Sequence, residues 1–209
     1  QLSSHNVKIT AISCDITTEE GKNKILEACD SPDILINNAG GPPPGIWSDW
    51  VREDFLKALN SNMLTPIDLI KKVLPIMIEK KWGRIVNITS QAVKAPVPAL
   101  GLSNSARTGL TGYVAGTSRQ VARFGVTINN LLPGMHDTKR LIDLDKAMSK
   151  EKKIPFEEAR NLRKDTIPIG RYGTIEEFGN TCAFLCSQHS GFIVGQNILL
   201  DGGAVNSTI

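Results

Sequence analysis

No run of apolar residues in this sequence approaches the roughly 18 that a membrane-crossing helix needs, and the opening residues do not read as a signal peptide. Metal-ligand spacing is also missing, because the three histidines, His5, His136 and His189, are scattered. The four cysteines, Cys14, Cys29, Cys182 and Cys186, form no Cys-x-x-Cys pair, which favours reduced thiols and a cytoplasmic setting over a disulfide framework. Charge of one sign does not accumulate. Lysine clusters at Lys71-Lys72, Lys80-Lys81 and Lys150/Lys152/Lys153 sit in a chain of formal charge +3, with no interleaved aromatics for base stacking. They read as solvated faces, and neither a nucleic-acid nor a membrane partner is expected. Without internal repeats or low-complexity tracts, the 209 residues read as one domain around one core.

What is present alternates. Strand patterns at Lys8 to Ser13, Asp33 to Asn37, Arg84 to Ile88, Val126 to Leu132 and Asn197 to Leu200 are separated by amphipathic segments at Thr18 to Ala28, Val51 to Lys80, Leu102 to Phe124 and Thr174 to Cys186. This order predicts an α/β fold with a doubly wound parallel sheet. Thr17 or Thr18, followed by Glu19 and Glu20, supplies a cap and an acidic first turn. Pro66 predicts two helices or a kink within Val51 to Lys80. Gly109, Gly112 and Gly116 share one side of the Leu102 helix, where each costs about 1 kcal/mol relative to alanine, so a close approach by another element is expected there. Met135 to Thr166 is rich in Lys and Glu, lacks a strand signal and follows the turn Pro133-Gly134; it reads as a mobile helical lid.

Chemistry-bearing residues gather at the carboxyl ends of the expected strands, the edge where such sheets bind ligands. Cys14-Asp-Ile-Thr17, Asn37-Asn-Ala-Gly40, Gly83-Arg-Ile-Val-Asn-Ile-Thr-Ser90 and Asn130-Leu-Leu-Pro-Gly134 all end there. Taken with Asn62, Thr138, Ile169-Gly-Arg-Tyr-Gly173 and Gly195-Gln-Asn-Ile-Leu-Leu-Asp-Gly-Gly203, their order and spacing resemble the short-chain dehydrogenase/reductase family, near its 3-oxoacyl-acyl-carrier-protein reductase-like members, from Val7 to Gly203.

The resemblance implies a Rossmann-type domain that binds NAD or NADP, acts on a small-molecule carbonyl or alcohol, and assembles as a homo-oligomer, a tetramer or dimer. Asp15 would bond the adenine amino group and Ile16 pack beside the ring. Asn38, Ala39 and Gly40 would line the adenosine ribose, Thr138 would touch the nicotinamide carboxamide, and Pro133 and Gly134 would also belong to the cofactor site. Asn62 would hold a relay water, and Ser90 the substrate carbonyl.

Two departures qualify this. The family tyrosine stands thirteen residues after the catalytic serine and its lysine four further on; here those places hold Ser103 and Arg107. Tyr113 lies about 15 Å further along the helix, and the other tyrosine, Tyr172, belongs to a different motif. An aliphatic hydroxyl titrates well above a phenol, and guanidinium does not deprotonate in proteins. Arg107 can therefore grip ribose hydroxyls without relaying a proton. Alternative donors are His136, Asp137, Lys94 or a bound water, with a solvated loop histidine as the plainer reading of His136.

The second departure is the absence of a Thr-Gly-x-x-x-Gly-x-Gly phosphate loop among the eighteen glycines. It predicts that about 45 residues, enough for a βαβ unit, precede Gln1. An intact mass of 22.7 kDa would overturn that expectation. Three readings stay open: an oxidoreductase with an atypical active site, a cofactor-binding homologue without dehydrogenase chemistry serving as sensor, scaffold or partner subunit, and a redox-neutral lyase or isomerase.

Overall fold

The computed structural model describes residues 7–207. Four strands, β1 (Ile34–Asn37), β2 (Gly83–Ile88), β3 (Val126–Pro133) and β4 (Asn197–Leu200), form one fully parallel sheet in that spatial order. All four lie where the apolar runs place them. The fifth expected strand, Lys8 to Ser13, is not one: it joins no ladder among the described residues, and its side chains are mostly exposed. Alternating residues make a strand only where a neighbour satisfies their backbone groups. Here β1 ends the sheet, with Ile34 and Ile36 left 44% and 49% exposed.

Residue parity divides the sheet's two faces. Ile85 and Ile128, with Leu35, meet Ile70, Val73 and Met77 of α3 (Thr65–Glu79) and Leu110 and Val114 of α4 (Gly101–Val121). Val86 and Leu131 face the other way, onto Leu185 and Cys186 of α7 (Ile175–Cys186). The result is a three-layer α/β/α Rossmann-type core. Each side chain buried this fully contributes about 1.5–3 kcal/mol.

Local chemistry sets the helix limits. Thr18 caps α1 (Glu19–Ala28) by accepting from the Gly21 N–H at 3.0 Å, and Glu19 and Glu20 occupy the first turn. Thr174 and Glu177 form a reciprocal capping box at the start of α7, with Arg171 clamping both Glu177 oxygens at 2.9 and 2.6 Å. Pro66 does break the long second segment. It falls in the first turn of α3, where its missing N–H is harmless, and a π-helical turn, Asn60–Leu64, joins α3 to α2 (Arg52–Leu59). Of the three glycines expected to admit a close approach, only Gly109 does, where a Cβ would lie 2.5 Å from the Met63 sulfur. Gly112 and Gly116 are exposed and have nothing within 4 Å of that position.

Four asparagines in register cross the whole sheet. Asn37 donates to Asn87 at 2.8 Å, Asn87 to Asn130 at 3.1 Å, and Asn130 to Asn197 at 2.8 Å. This row lies on the α3/α4 face, two residues beyond Leu35, Ile85 and Ile128. Buried amides are tolerated there because each finds a partner.

The segment after β3 is helical, as expected, and forms α5 (Lys139–Lys152) and α6 (Phe156–Lys164). Asp145, 0% exposed, ties the two together. It accepts from Arg163 Nε at 2.7 Å and from the Tyr172 hydroxyl at 3.1 Å, and lies 3.6 Å from Arg160, which also bonds Asp137 at 3.0 Å. No helix among the described residues is long and apolar enough to cross a membrane.

Candidate active site

The carboxyl ends of β1 and β2 meet the side of α4 at an open cleft lined by Ile16, Asn38, Ala39, Asn62, Ile88 and Arg107 among others. Arg107 organises it. Its Nη1 donates to the Ile88 carbonyl at 2.8 Å, its Nη2 to the Ala39 carbonyl at 3.4 Å, and its Nε to Ser103 Oγ, one helical turn earlier, at 3.2 Å. One side chain thus pins the ends of both strands to α4. Burial, and secondarily the charge of Arg140, pulls the guanidinium pKa from 12.5 to about 10. It remains charged at neutral pH.

Asn62 reaches the cleft because the π-helical turn widens the backbone at that point, a distortion frequent at functional sites. Its Nδ2 donates to the Gly40 carbonyl at 3.0 Å and Ser61 Oγ at 3.2 Å, while its buried Oδ1 has no protein partner. That carbonyl oxygen is an acceptor ready for a water or ligand donor. Ser90 caps the short turn Gln91–Val93 by accepting from the Ala92 N–H at 3.1 Å, and its own hydrogen is free to donate.

Other expected site residues lie apart from this cleft. Asp15 is exposed and accepts from both the Thr17 N–H and hydroxyl, at 2.9 and 2.7 Å, which holds its carboxyl below the usual range. Gly134 answers to packing, since a Cβ there would lie 2.6 Å from the Asp201 Cα, and its N–H bonds the Leu200 carbonyl at 2.7 Å. It follows Pro133, the last residue of β3. Thr138 stands at the N-cap of α5 without making a side-chain capping bond.

The proposed proton donors also divide. His136 stacks edge-on against Phe178 at 5.2 Å and lines a second cleft with Arg171, Glu177 and Asp201. Asp137 is taken up by Arg160. Neither tyrosine enters the Arg107 cleft. Tyr113 packs on the α3/α4 core, and Tyr172 is buried in the Asp145 cluster, where burial and then the Asp145 carboxylate push its phenol up to about 12.

Comparison with known proteins decides the family. The family model described as Enoyl-(Acyl carrier protein) reductase matches residues 2–205. Acetoacetyl-CoA reductase of Cupriavidus necator is 32% identical over 189 residues, covering 90% of this chain and 72% of that protein. The chain belongs to the short-chain dehydrogenase/reductase family. Among its relatives, 3-oxoacyl-acyl-carrier-protein reductase FabG of Aquifex aeolicus is 31% identical over 95% of this chain and 77% of that protein. The crystal structure of YwfH, an NADPH dependent reductase involved in bacilysin biosynthesis, superimposes with a TM-score of 0.90 at 28% identity, over 99% of this chain and 82% of that one.

Motif order in the sequence of this short-chain dehydrogenase/reductase pointed to Asn38, Ala39, Asn62 and Arg107, which line this cleft, and to Ser103, which adjoins Arg107. It missed Arg140, which approaches Arg107 from α5. Its only signal was an arginine in a lysine-rich helix, which does not separate a site residue from a solvated one.

Proposed function

We propose that this chain is an NAD(P)-dependent oxidoreductase that reduces a ketone, a 3-oxoacyl thioester being one candidate, or oxidises the corresponding alcohol. The observation that carries this is the strand-end cleft in which Asn38, Ala39, Asn62 and Arg107 converge beside Ser103. The names of the relatives, reductases of acetoacetyl-CoA and 3-oxoacyl carriers and an NADPH dependent reductase, support it.

The residues present fit a dinucleotide. A Cβ at Gly40 would meet nothing within 4 Å, and the Asn62 Oδ1 lacks a partner. Ile16, Asn38, Ala39, Gly40 and Arg107 would hold it, with Asp15 at the adenine and Pro133, Gly134 and Thr138 on the nicotinamide side. When bound, the nicotinamide supplies or accepts the hydride. The protein's part is positioning and proton supply. Ser90 donates its hydroxyl hydrogen to the substrate carbonyl and so polarises it. Arg107 grips hydroxyls and holds Ser103 by Nε, but keeps its protons. Ser103 orients substrate without replacing a phenolic acid, which leaves a water held on Asn62 Oδ1 to deliver the proton. The α5–α6 segment is the lid, the exposed Gly112/Gly116 face of α4 suits a homo-oligomer, and the setting is cytoplasmic.

The test is oxidation of NADPH and NADH across ketones and acyl thioesters, beside Ser103→Tyr/Arg107→Lys. Turnover by the wild type supports the reading. Cofactor binding without turnover, restored in the variant, would favour the second reading, a cofactor-binding homologue serving as sensor, scaffold or partner subunit. One observation speaks for that alternative: the Ser103 oxygen already accepts from Arg107, and no tyrosine reaches the cleft.

A further inference from the structure

Two guanidinium groups converge on one point above the loop that follows β1. A Cβ built on Gly41 would lie 3.1 Å from Arg140 Nη1 and 3.7 Å from both Arg140 Nη2 and Arg107 Nη2. Arg107 comes from the second turn of α4 and Arg140 from the second position of α5. Among the described residues, no carboxylate lies within 4 Å of either, whereas Arg160 and Arg163 of α6 both meet Asp145. Arg107 is only 8% exposed, and like charge faces it across the gap. Two cations held this close, one of them out of water, call for an anion between them.

The surroundings point the same way. The first turn of α5 holds Lys139 and Arg140 and no acid, and Thr138 makes no capping bond there. The amino end of this 14-residue helix therefore adds its unpaired N–H groups to the positive side. Gly41 leaves the space between the guanidiniums clear.

We infer that Arg107 and Arg140 form a carboxylate-binding subsite over Gly41, so that the ketone taken by this site is a free oxo acid rather than its ester or thioester. The inference rests on the ketone-reductase reading for what happens next, but not for the binding itself. A carboxylate is planar and offers its two oxygens to the Arg140 fork and to Arg107 Nη2, the nitrogens nearest Gly41, which leaves Arg107 Nη1 for the cofactor's hydroxyls. Because Arg107 Nε is bonded to Ser103 Oγ, a carboxylate on the Nη side of the same group sits next to the reacting centre. The acid's own carbonyl would then be only a bond or two away.

Oxalate, an unreactive stand-in for a short oxo acid, is the probe, with inorganic phosphate beside it. Both are titrated calorimetrically into the full chain, with and without saturating NADPH. Oxalate binds, NADPH does not displace it, and Arg140→Met, at an exposed position, weakens it at least tenfold. Gly41→Asp places a carboxylate between the guanidiniums, so it melts at a higher temperature than Gly41→Ala and no longer binds oxalate. With NADPH, acetoacetate is reduced with a KM at least tenfold below that of ethyl acetoacetate, and Arg140→Met erases that preference mainly through KM. Oxalate binding indifferent to Arg140→Met, a Gly41→Asp chain no more stable than Gly41→Ala, or binding of phosphate in place of oxalate each overturns the inference. Displacement of oxalate by NADPH overturns it too, since the anion held there would then be the cofactor's own phosphate. Reduction of ethyl acetoacetate as readily as the acid would sink the subsite while leaving the ketone-reductase reading standing.

Discussion

Two of the protein's buried charges are treated in opposite ways. In the α5–α6 cluster, Asp145 is fully enclosed, yet Arg163, Arg160 and the Tyr172 hydroxyl surround it, and Asp137 matches the remaining charge. At the strand-end cleft, Arg107 is almost as deeply buried and meets only carbonyls, a serine and another arginine. The first arrangement is complete and locks two helices together. The second is incomplete, and incompleteness at a strand-end cleft is a mark of a place kept for something else.

Four experiments bear on that contrast. The largest change is expected on the incomplete side. Ser103→Tyr/Arg107→Lys supplies a phenol and a cation able to lower its pKa, and NADPH oxidation with a reducible ketone should rise by about 10²–10⁴-fold, the usual contribution of a positioned acid. No gain would mean that a water on Asn62 already serves as well. On the complete side, Asp145→Ala leaves Arg160 and Arg163 facing each other and should cost about 3–5 kcal/mol in urea unfolding. A loss under 1 kcal/mol would show that the cluster is not what fastens the lid. Tyr172→Phe removes one hydrogen bond to a buried carboxylate and should cost about 1.5–3 kcal/mol by the same measurement.

The smallest effect concerns the exposed pair Arg171–Glu177, balanced like the lid cluster but wet. Arg171, helped by the Thr174 N–H, holds the Glu177 carboxyl at about 2 against its ordinary 4.5. A depressed folded pKa means that the contribution is present above pH 4.5 and lost as the pH falls toward 2. Glu177→Gln should lower the melting temperature slightly near neutrality, where the pair is intact, and the difference from the wild type should vanish as the pH falls toward 2. An unchanged slope below pH 4.5 would show the pair to be worth nothing in solution.

Legibility in the sequence followed how locally each feature is written. The sheet was readable because each strand is a short apolar run ended by Gly, Pro, Asn or Ser, and α4 because its period persists over 21 residues. The Lys8 to Ser13 error shows the limit: alternation is a local property, and pairing is not. Ser103 and Arg107 were found because they sit one turn apart at fixed spacing from Ser90. Asp145, Arg160, Arg163 and Tyr172 were not, since they come from two helices and a turn that only folding assembles. Arg140 was hidden for the same reason, lying 33 residues from the arginine it faces. Gly134 was expected at the cofactor, and what the structure shows of it is packing, the approach of Asp201.

The asparagine row across the sheet has a direction. Every amide hands its hydrogen the same way, from Asn37 on β1 toward Asn197 on β4, so the row begins with a carbonyl oxygen and finishes with an amino group. Turning over Asn87 or Asn130 alone would set two amino groups or two carbonyl oxygens against each other. The orientation of one side chain therefore fixes that of the other three, which couples the edge strand β1 to β4 through side chains as well as through the backbone ladder.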